Sequence, residues 1–466
     1  MKKAIFLLAV SVCLIITYRD INASDGSNEQ TKGWKAGAAK VLITPEQSMW
    51  LAGYGARDHP SEGTEINLWA KALALEDASG KKAVLVTIDN VGIGKEMADH
   101  IRNRLKTKFG LTASQIIFNC SHTHSGPVLL NLYTKIYPLD AEQLKRVKDY
   151  SARFENQIVS IVGEAVKSLK PAQLYSQNGI TRFQVNRRNN TEATLTSVTD
   201  LNGPNEYSVP VIKVVNESGN LVAVAFGYAC HATCTGFYKW SGDYPGFAQI
   251  ELEKSHPGAI ALFFQGAGAD QNPLPRKTIA LAQQYGRELA AAVERVLEED
   301  MKLLLPELAT AYSEIKLPYT DLPSRNELLK IAGKSSDYPA WHKEWASDMI
   351  RRISEGEKIE TSYPYYPCQV WKLGGQAVMT LGGELVIEYA IKLKQLLGQD
   401  IFVLGYSNDV MSYIPSVTIL REGGYEGIRS QLSTGLPGTY KEEIESKILQ
   451  EMVRLSSKAG IQPVNK

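Results

Sequence analysis

The sequence predicts an α/β protein, a large single domain in which helices flank a mostly buried mixed sheet. Apolar runs of strand length alternate with amphipathic segments of helix length along most of the 466 residues, and this alternation is typical of a sheet that is covered by helices. Hydrophobic residues make up 44% of the chain and charged residues 22%, so there is enough apolar material to bury such a sheet.

The strands and helices follow one another in the order that this class requires. The run KAVLVTID at 82–89 predicts a buried strand, the segment 94–110 predicts an amphipathic helix that ends at Gly110, and SQIIFNCS at 114–121 predicts the next strand. The same alternation returns later, with predicted strands at 221–231 and 259–266 and predicted helices at 244–255 and 278–299.

The pattern changes to a helical excursion at residues 321–366. Two segments, 324–333 and 339–358, predict helices, and TSYPYYPC at 361–368 predicts a loop rich in proline and tyrosine. One interpretation is that this excursion borders a functional site. Sheet-like sequence resumes at 369–383, and a last helix ends the chain.

The N-terminus has the features of a secretory signal peptide. Two lysines precede an apolar run at 4–16, small and polar residues follow, and cleavage after Ala23 would remove residues 1–23. The run is short for a membrane span. Lipoprotein anchoring at Cys13 is the less favoured alternative, because apolar residues continue beyond that cysteine. We therefore expect a secreted or periplasmic protein.

The rest of the chain divides into a polar linker at 24–35 and one domain at 36–466. No segment of the mature chain is long and apolar enough to predict a transmembrane span. The formal net charge is +1 and no basic cluster stands out. This charge distribution argues against a nucleic-acid partner.

Polar residues that suit a metal ion stand where predicted strands end. In an extended segment, residues i and i+2 point to the same face, so His122 and His124 are expected to face a common point. His231 and Glu384 also follow apolar runs, and ligands of α/β sheets bind at strand ends. Taken singly, each could be a structural residue. Together, three imidazoles and a carboxylate suit zinc.

Four cysteines remain after the predicted cleavage, and two of them lie beside these histidines. Cys120 precedes His122 by two residues and Cys230 directly precedes His231. Export would permit a disulfide between Cys120 and Cys230. Small buried thiols are an equally good interpretation, so the sequence leaves the pairing open.

Several motifs, taken in order, resemble the N-terminal catalytic domain of the neutral (alkaline, non-lysosomal) ceramidases. The motifs are AGAAKVLITP, LAGYGAR, NCSHTHSGP, GYACHATC with SGDYPG, FFQGAGADQNP, LGGE and SYIPSVTILREGGYEG. The resemblance implies an exported zinc amidase that splits ceramide into sphingosine and a fatty acid, so a small-molecule or lipid-like substrate is the expected partner. It implies zinc ligands at His122, His231, Glu384 and Tyr413.

The resemblance also implies roles for residues that face the substrate. His124 and Tyr425 would face the scissile group, and Arg187 would reach the substrate headgroup. The sequence departs from the family pattern at Asn272, which aligns with a family serine, and an amide side chain cannot act as an oxygen nucleophile. The family's C-terminal immunoglobulin-like domain is also expected to have no counterpart, because the chain stops soon after YEG.

These residues predict hydrolysis by zinc-activated water rather than through an acyl-enzyme. His124 would transfer protons, and Tyr425 and Asn272 would donate hydrogen bonds to the developing oxyanion. Cleavage of an N-acyl amide bond is the leading hypothesis. One alternative keeps the zinc site but takes a polar ester, a glycoside or an N-acyl sugar as substrate. Another is an exported binding protein that keeps the metal without turnover.

Overall fold

The computed structural model describes residues 33–134, 136–195 and 201–464. The predicted signal peptide, Cys13 and the linker up to residue 32 lie outside the described residues. The first strand begins at Trp34, within the segment that the sequence analysis assigned to the linker. Within the described residues, no helix combines the length and the apolar character that crossing a membrane requires.

Strands and helices alternate through the described chain, as the sequence predicts. The strands are β1 (Trp34–Leu42), β2 (Gly63–Thr64), β3 (Trp69–Glu76), β4 (Lys82–Ile88), β5 (Ile116–Cys120), β6 (Lys170–Ile180), β7 (Gln184–Asn186), β8 (Ser208–Asn216), β9 (Leu221–Tyr228), β10 (Lys239–Trp240), β11 (Ile260–Gln265), β12 (Gln271–Pro273), β13 (Lys302–Leu304), β14 (Leu308–Pro318), β15 (Ser362–Leu373), β16 (Gln376–Leu381), β17 (Glu384–Leu385), β18 (Phe402–Leu404) and β19 (Tyr413–Ile414).

The helices are α1 (Lys95–Phe109), α2 (Ala141–Lys167), α3 (Glu192–Leu195), α4 (Asp243–Ser255), α5 (Ile279–Glu298), α6 (Arg325–Ala332), α7 (Ala340–Ser354), α8 (Ile387–Leu397), α9 (Val417–Glu422), α10 (Ser430–Ser433) and α11 (Glu443–Lys458). A 3₁₀ turn at Ala113–Gln115 and a π-helical turn at Tyr425–Arg429 complete the list. The predicted end of the first helix is confirmed, because Gly110 follows α1 with a left-handed φ of 71° that glycine adopts without strain.

The main sheet is mixed, which confirms the predicted fold class. Its strands lie in the order β11-β9-β8-β6-β1-β3-β4-β5, and β13 pairs with β6. The pairs β4–β5 and β9–β11 are parallel, and each is joined through a helix, α1 in the first case and α4 in the second. Parallel neighbours need such crossovers.

A second sheet covers one face of the main sheet, a layer that the sequence analysis did not foresee. It contains β14, β15, β16 and β18. Along β3, Ala72 and Ala74 face a core shared with α2, whereas Leu73 and Leu75 face a core shared with Trp371 of the second sheet. Alternate residues of one strand therefore serve two cores. Helices α8 and α11 cover the outer side of the second sheet.

The segment 361–368 is not the loop that its prolines and tyrosines predicted. It begins β15, which pairs with β14 on both sides of a register shift at Pro364 and Tyr365, while its pairing with β16 starts only at Cys368. Pro364 lies in this irregularity and Pro367 precedes the part of β15 that pairs with β16, so the missing N–H of each proline breaks no ladder. The two predicted helices of the 321–366 excursion are present as α6 and α7.

Asn119 joins the two end strands of the main sheet. From β5, its side chain donates to the carbonyl oxygens of Gln265 and Gly405, at 3.2 and 2.8 Å, and accepts from the backbone N–H of Gln265 at 2.7 Å. The chain near Gly405 also forms bridges to both β5 and the end of β11. The sheet therefore curves until its edges share one buried amide.

We predict that Asn119→Ala lowers the free energy of unfolding by roughly 3 kcal/mol, because it leaves buried backbone groups of Gln265 and Gly405 without partners. Denaturant-induced unfolding measures this change. The control Asn103→Ala, on the exposed face of α1, should change stability by less than about 0.5 kcal/mol. Equal losses in the two variants would contradict this role of Asn119.

Candidate metal centre

The histidine motif is carried by a tight turn rather than by the extended segment that the i, i+2 argument assumed. Strand β5 ends at Cys120, and His122 has a left-handed φ of 57°. Its backbone N–H donates to the carbonyl of Asn90 at 3.0 Å, which holds this turn in place. The two rings nevertheless converge, since the Nε2 atoms of His122 and His124 lie 3.1 Å apart.

Three buried histidines could hold a metal ion. The ligand atoms of His122, His124 and His231 all lie within 4.8 Å of one another. His231 follows β9, and the turns that carry the two motifs are joined by a hydrogen bond from the backbone N–H of His124 to the carbonyl of Ala232. Segments more than a hundred residues apart thus present their imidazoles to one point.

Two of these rings have their tautomers fixed by backbone carbonyls. The Nδ1 atom of His122 lies 2.6 Å from the oxygen of Val91, and Nδ1 of His231 lies 2.8 Å from the oxygen of Gly268. Because a carbonyl only accepts, each Nδ1 donates and each neutral ring keeps a lone pair on Nε2. This is how proteins orient imidazoles that bind metal ions.

A carboxylate and a phenol complete the cluster. Glu384 Oε2 lies 3.2 Å from Nε2 of His122 and 3.4 Å from Nε2 of His231. The Tyr413 hydroxyl lies 3.4 Å from the same nitrogen of His231. Glu384 and Tyr413 arrive together because they are direct partners in the parallel pair β17–β19.

These donors fit a cation. Two imidazole lone pairs point at a buried carboxylate oxygen that accepts no hydrogen bond from any described residue, an arrangement that costs energy unless a positive charge lies between them. Burial, followed by the charge of Arg187, lowers the pKa of His231 to about 4, so this ring is neutral at pH 7. A metal ion would supply such a charge, and the histidine cluster is one that could hold a metal ion.

His124 occupies the side of the cluster that faces the open cavity. Its ring meets the edge of the Tyr54 ring, with centroids 4.7 Å apart, and its Nδ1 has no partner among the described residues. Gly53 packs directly against it, since a Cβ there would lie 2.5 Å from Cγ of His124. Burial, followed by the neighbouring imidazoles, holds the pKa of His124 well below its usual range.

Arg187 is engaged by the protein itself. Its Nε donates to Glu426 at 2.8 Å and a terminal nitrogen donates to the hydroxyl of Tyr413 at 3.1 Å. The guanidinium lies over the rings of Tyr413 and Tyr425. Arg187 thus positions Tyr413. It also lines the cavity, and its contact with a substrate stays a prediction.

The remaining candidates lie around the same cavity, whose volume is about 1090 Å³. Tyr425 begins the π-helical turn, and its side chain is 49% exposed at the cavity wall. Asn272 lies in β12 at the cavity floor, and its buried Oδ1 has no partner among the described residues. No residue of the 321–366 excursion is among the described residues that line this cavity.

Sequence reasoning missed residues that hold the site together. Glu426 anchors Arg187, and Arg57 fixes the histidine turn by donating to the carbonyl of His124 at 2.7 Å. Both belong to motifs noted in the sequence, YEG and GYGAR, but no spacing rule reveals partners so far apart in the chain. Asp89, which directly follows β4, accepts a hydrogen bond from the backbone N–H of Trp69 at 2.9 Å and is not part of the cluster.

The cysteines beside the histidines are free thiols in the structure, as are the other two. All of them are buried: Cys120, Cys230, Cys234 and Cys368. Burial raises the pKa of each thiol, so they pack as small neutral side chains.

Residues 34–272 match a family model described as "Neutral/alkaline non-lysosomal ceramidase, N-terminal". This range is more than half of the chain. The chain belongs to the neutral/alkaline non-lysosomal ceramidase family. The resemblance drawn from the sequence motifs is thereby confirmed. His122 and His231 lie inside the matched range, whereas Glu384 and Tyr413 lie beyond it.

Curated members of this family are similar to part of the chain. Neutral ceramidase B of Dictyostelium discoideum is 26% identical over 309 residues, which are 59% of this chain and 41% of that protein. Neutral ceramidase of Pseudomonas aeruginosa is 25% identical over 252 residues, 52% of this chain and 37% of that protein. The aligned part of the chain thus spans about two fifths of the length of these relatives.

Solved ceramidase structures share the fold over a longer range. The crystal structure of neutral ceramidase from Pseudomonas aeruginosa superposes with a TM-score of 0.70 at 18% identity, covering 93% of this chain and 76% of that one. A structure titled "Ceramidase complexed with C2" gives a TM-score of 0.69 at 16% identity, with the same coverage. At these identities the likeness concerns the fold alone.

We predict that zinc stabilises the protein and that magnesium does not, because imidazole donors suit zinc and magnesium prefers oxygen. Zinc at a free concentration a hundred times its Kd should raise the free energy of unfolding by about 2.7 kcal/mol, as measured by denaturant-induced unfolding after dialysis against a chelator. His231→Ala should lose this gain, and the control His100→Ala, an exposed histidine of α1, should keep it. A zinc effect that survives in His231→Ala would contradict the site.

Proposed function

We propose that the protein is an exported zinc-dependent hydrolase that uses water to cleave an N-acyl amide bond. One observation carries this proposal: two imidazole lone pairs and a buried carboxylate oxygen meet beside an open cavity. Family membership supports the amide bond as the target. Export rests on the signal-like segment 1–23.

His122, His231 and Glu384 would hold the zinc ion, with Tyr413 as a further ligand. Zinc at such a site acts as a Lewis acid that polarises a carbonyl oxygen and lowers the pKa of water. The protein's own contribution is to fix the donors: Val91 and Gly268 orient the rings, and Arg187 orients the Tyr413 hydroxyl. These outer contacts restrict the ligands to one geometry.

His124 would move the protons of the reaction. Its low pKa leaves the ring neutral at pH 7, so it can accept a proton from the attacking water and return it to the leaving nitrogen. Its Nε2 lies 3.1 Å from Nε2 of His122, and the ring borders the cavity that would admit the substrate. It would therefore lie within reach of both the water and the scissile bond.

Asn272 and Tyr425 would orient the substrate and donate hydrogen bonds to the developing oxyanion. Asn272 has no oxygen nucleophile to offer. The nearby hydroxyl of Ser125 is buried and faces Thr235 at 3.2 Å, and Thr235 in turn donates to Asp243. A direct attack by water is therefore favoured over an acyl-enzyme.

We predict that the purified protein releases the amine and the acid from N-acyl substrates and that a chelator abolishes this release. His124→Ala should keep about one zinc per chain yet lose a factor of about 10²–10⁴ in kcat, the range for a positioned acid–base group. Mass spectrometry of metal content and product analysis measure the two quantities separately.

The same experiment separates two roles for His124. Loss of zinc together with activity in His124→Ala would mean that this residue is a ligand, and the division of labour within the motif would be wrong. His100→Ala should keep both zinc and activity, because that side chain lies on the exposed side of α1. Native activity that persists with chelator would contradict the metal-dependent mechanism.

We predict that no covalent intermediate forms during turnover. Rapid-mixing kinetics with an activated substrate should show no stoichiometric burst, and intact-protein mass should stay that of the free chain. Asn272→Ala should lower kcat by about 10–10³-fold through lost oxyanion donation without abolishing it. A trapped adduct at Ser125, or at another hydroxyl, would overturn the direct attack by water.

A further inference from the structure

The cavity carries two cations that the catalytic proposal does not use. Arg276 and Lys277 line it beyond Asn272. In the described part of the chain, no carboxylate oxygen lies within 4.0 Å of their side-chain nitrogens. The two other arginines of the cavity differ in this respect, since Arg187 pairs with Glu426 and Arg188 pairs with both Glu422 and Glu426.

The backbone aims the Lys277 side chain at the cavity. Lys277 has a left-handed φ of 81°, which is unusual for a residue with a side chain. Its backbone N–H donates to the carbonyl of Cys234 at 2.8 Å, which holds this conformation. A non-glycine residue held in this region at a cavity wall points to a functional constraint.

Tyr54 positions the Lys277 ammonium group beside the metal centre. The Lys277 Nζ donates to the Tyr54 hydroxyl at 2.8 Å, and that hydroxyl donates to the carbonyl of Thr235 at 2.9 Å. The Tyr54 ring in turn meets His124, so one aromatic ring separates the ammonium group from the catalytic histidine. An ammonium group has three hydrogens, and this contact uses one of them.

The cavity has an excess of positive charge once its internal pairs are counted. The remaining carboxylate of the lining, Glu192, accepts a hydrogen bond from the backbone N–H of Arg276 at 3.1 Å. Arg276 and Lys277 therefore bring two positive charges against one negative charge. Burial, followed by the charge of Arg276, lowers the pKa of Lys277 to about 8, and the opposing effect of the Asp243 charge is smaller.

The residue types that line the cavity also differ from those of a typical site for a hydrocarbon chain. Apart from the aromatic rings, Leu274 is the one large apolar side chain among the described residues that line it, and most of the lining residues carry polar or charged side chains. Sites for apolar ligands are lined predominantly by hydrophobic side chains. The wall of this cavity is suited instead to a polar, negatively charged group.

We propose that Lys277 and Arg276 form a subsite for a carboxylate group of the substrate, so that the substrate class is an N-acyl compound bearing a carboxylate, as in N-acylated amino acids. The assignment of the bond that is cleaved rests on the proposed function, whereas the carboxylate subsite rests on the cavity itself. Tyr54 acts as the positioning residue that fixes the ammonium group.

Binding of two matched probes tests this subsite without requiring turnover. The probes are N-(hexylsulfonyl)glycine and N-(hexylsulfonyl)glycinamide. The first ends in a carboxylate where the second ends in a neutral carboxamide, and in both a sulfonamide bond that resists hydrolysis replaces the N-acyl amide bond. Isothermal titration calorimetry with the zinc-loaded protein should give a Kd about 10-fold lower for the carboxylate probe, as for a hydrogen bond between charged groups at a partly exposed site.

Variants assign this preference to Lys277. Lys277→Met should reduce the ratio of the two Kd values to about 3-fold or less, whereas Lys277→Arg should retain most of it because the charge remains. Lys145→Met is the control, since it removes one positive charge from an exposed helical site and should leave the ratio unchanged. This control excludes a general effect of net charge.

Several outcomes would overturn the subsite. These are equal Kd values for the two probes with the native protein, failure of the carboxylate probe to bind at millimolar concentration, and a ratio that is unchanged in Lys277→Met. Because the probes are not substrates, the subsite can fail while amide hydrolysis stands. Equally, the preference can be found in a protein that hydrolyses no amide, so the two proposals are tested apart.

Discussion

The contact between Glu384 and two imidazole lone pairs is the constraint on which the rest of the site depends. Within the described residues nothing donates to Glu384 Oε2, although Nε2 atoms of His122 and His231 lie 3.2 and 3.4 Å away. A buried site cannot bear such an arrangement cheaply without a cation. The surrounding contacts hold the ligand atoms in this arrangement. Backbone carbonyls orient the two rings, and the β17–β19 pairing positions the carboxylate.

The fold supplies this convergence by bringing the two ends of one sheet together. Strand β5 leads into the turn of His122, and β9, the neighbour of the end strand β11, leads into His231. Asn119 joins β5 to β11 through a buried amide. The second sheet then supplies the carboxylate and the phenol from the segments that follow β16 and β18. The four side chains therefore meet only because the main sheet closes on itself and the second sheet packs against it.

The sequence predicted what is local and missed what depends on distant partners. Periodicity and Gly110 placed α1 correctly, and strand-end positions predicted the closeness of His122, His231 and Glu384 that the structure shows, while their role as metal ligands stays a prediction. It failed at Pro367, whose lack of a partner in the ladder depends on where β16 ends, and at His122, whose turn depends on Asn90. The sequence analysis missed the two cations Arg276 and Lys277 in the cavity lining. Whether a cation is paired depends on which carboxylates the fold brings near it, and no local sequence pattern encodes that.

Anomalous diffraction at the zinc edge from crystals of the purified protein tests the central claim most directly. The account predicts one strong peak between the Nε2 atoms of His122 and His231 and the carboxylate of Glu384, at about 2.0–2.2 Å from each donor. A peak at another position, coordination through Nδ1 of either ring, or a fully zinc-loaded protein with no peak among these three residues would contradict it.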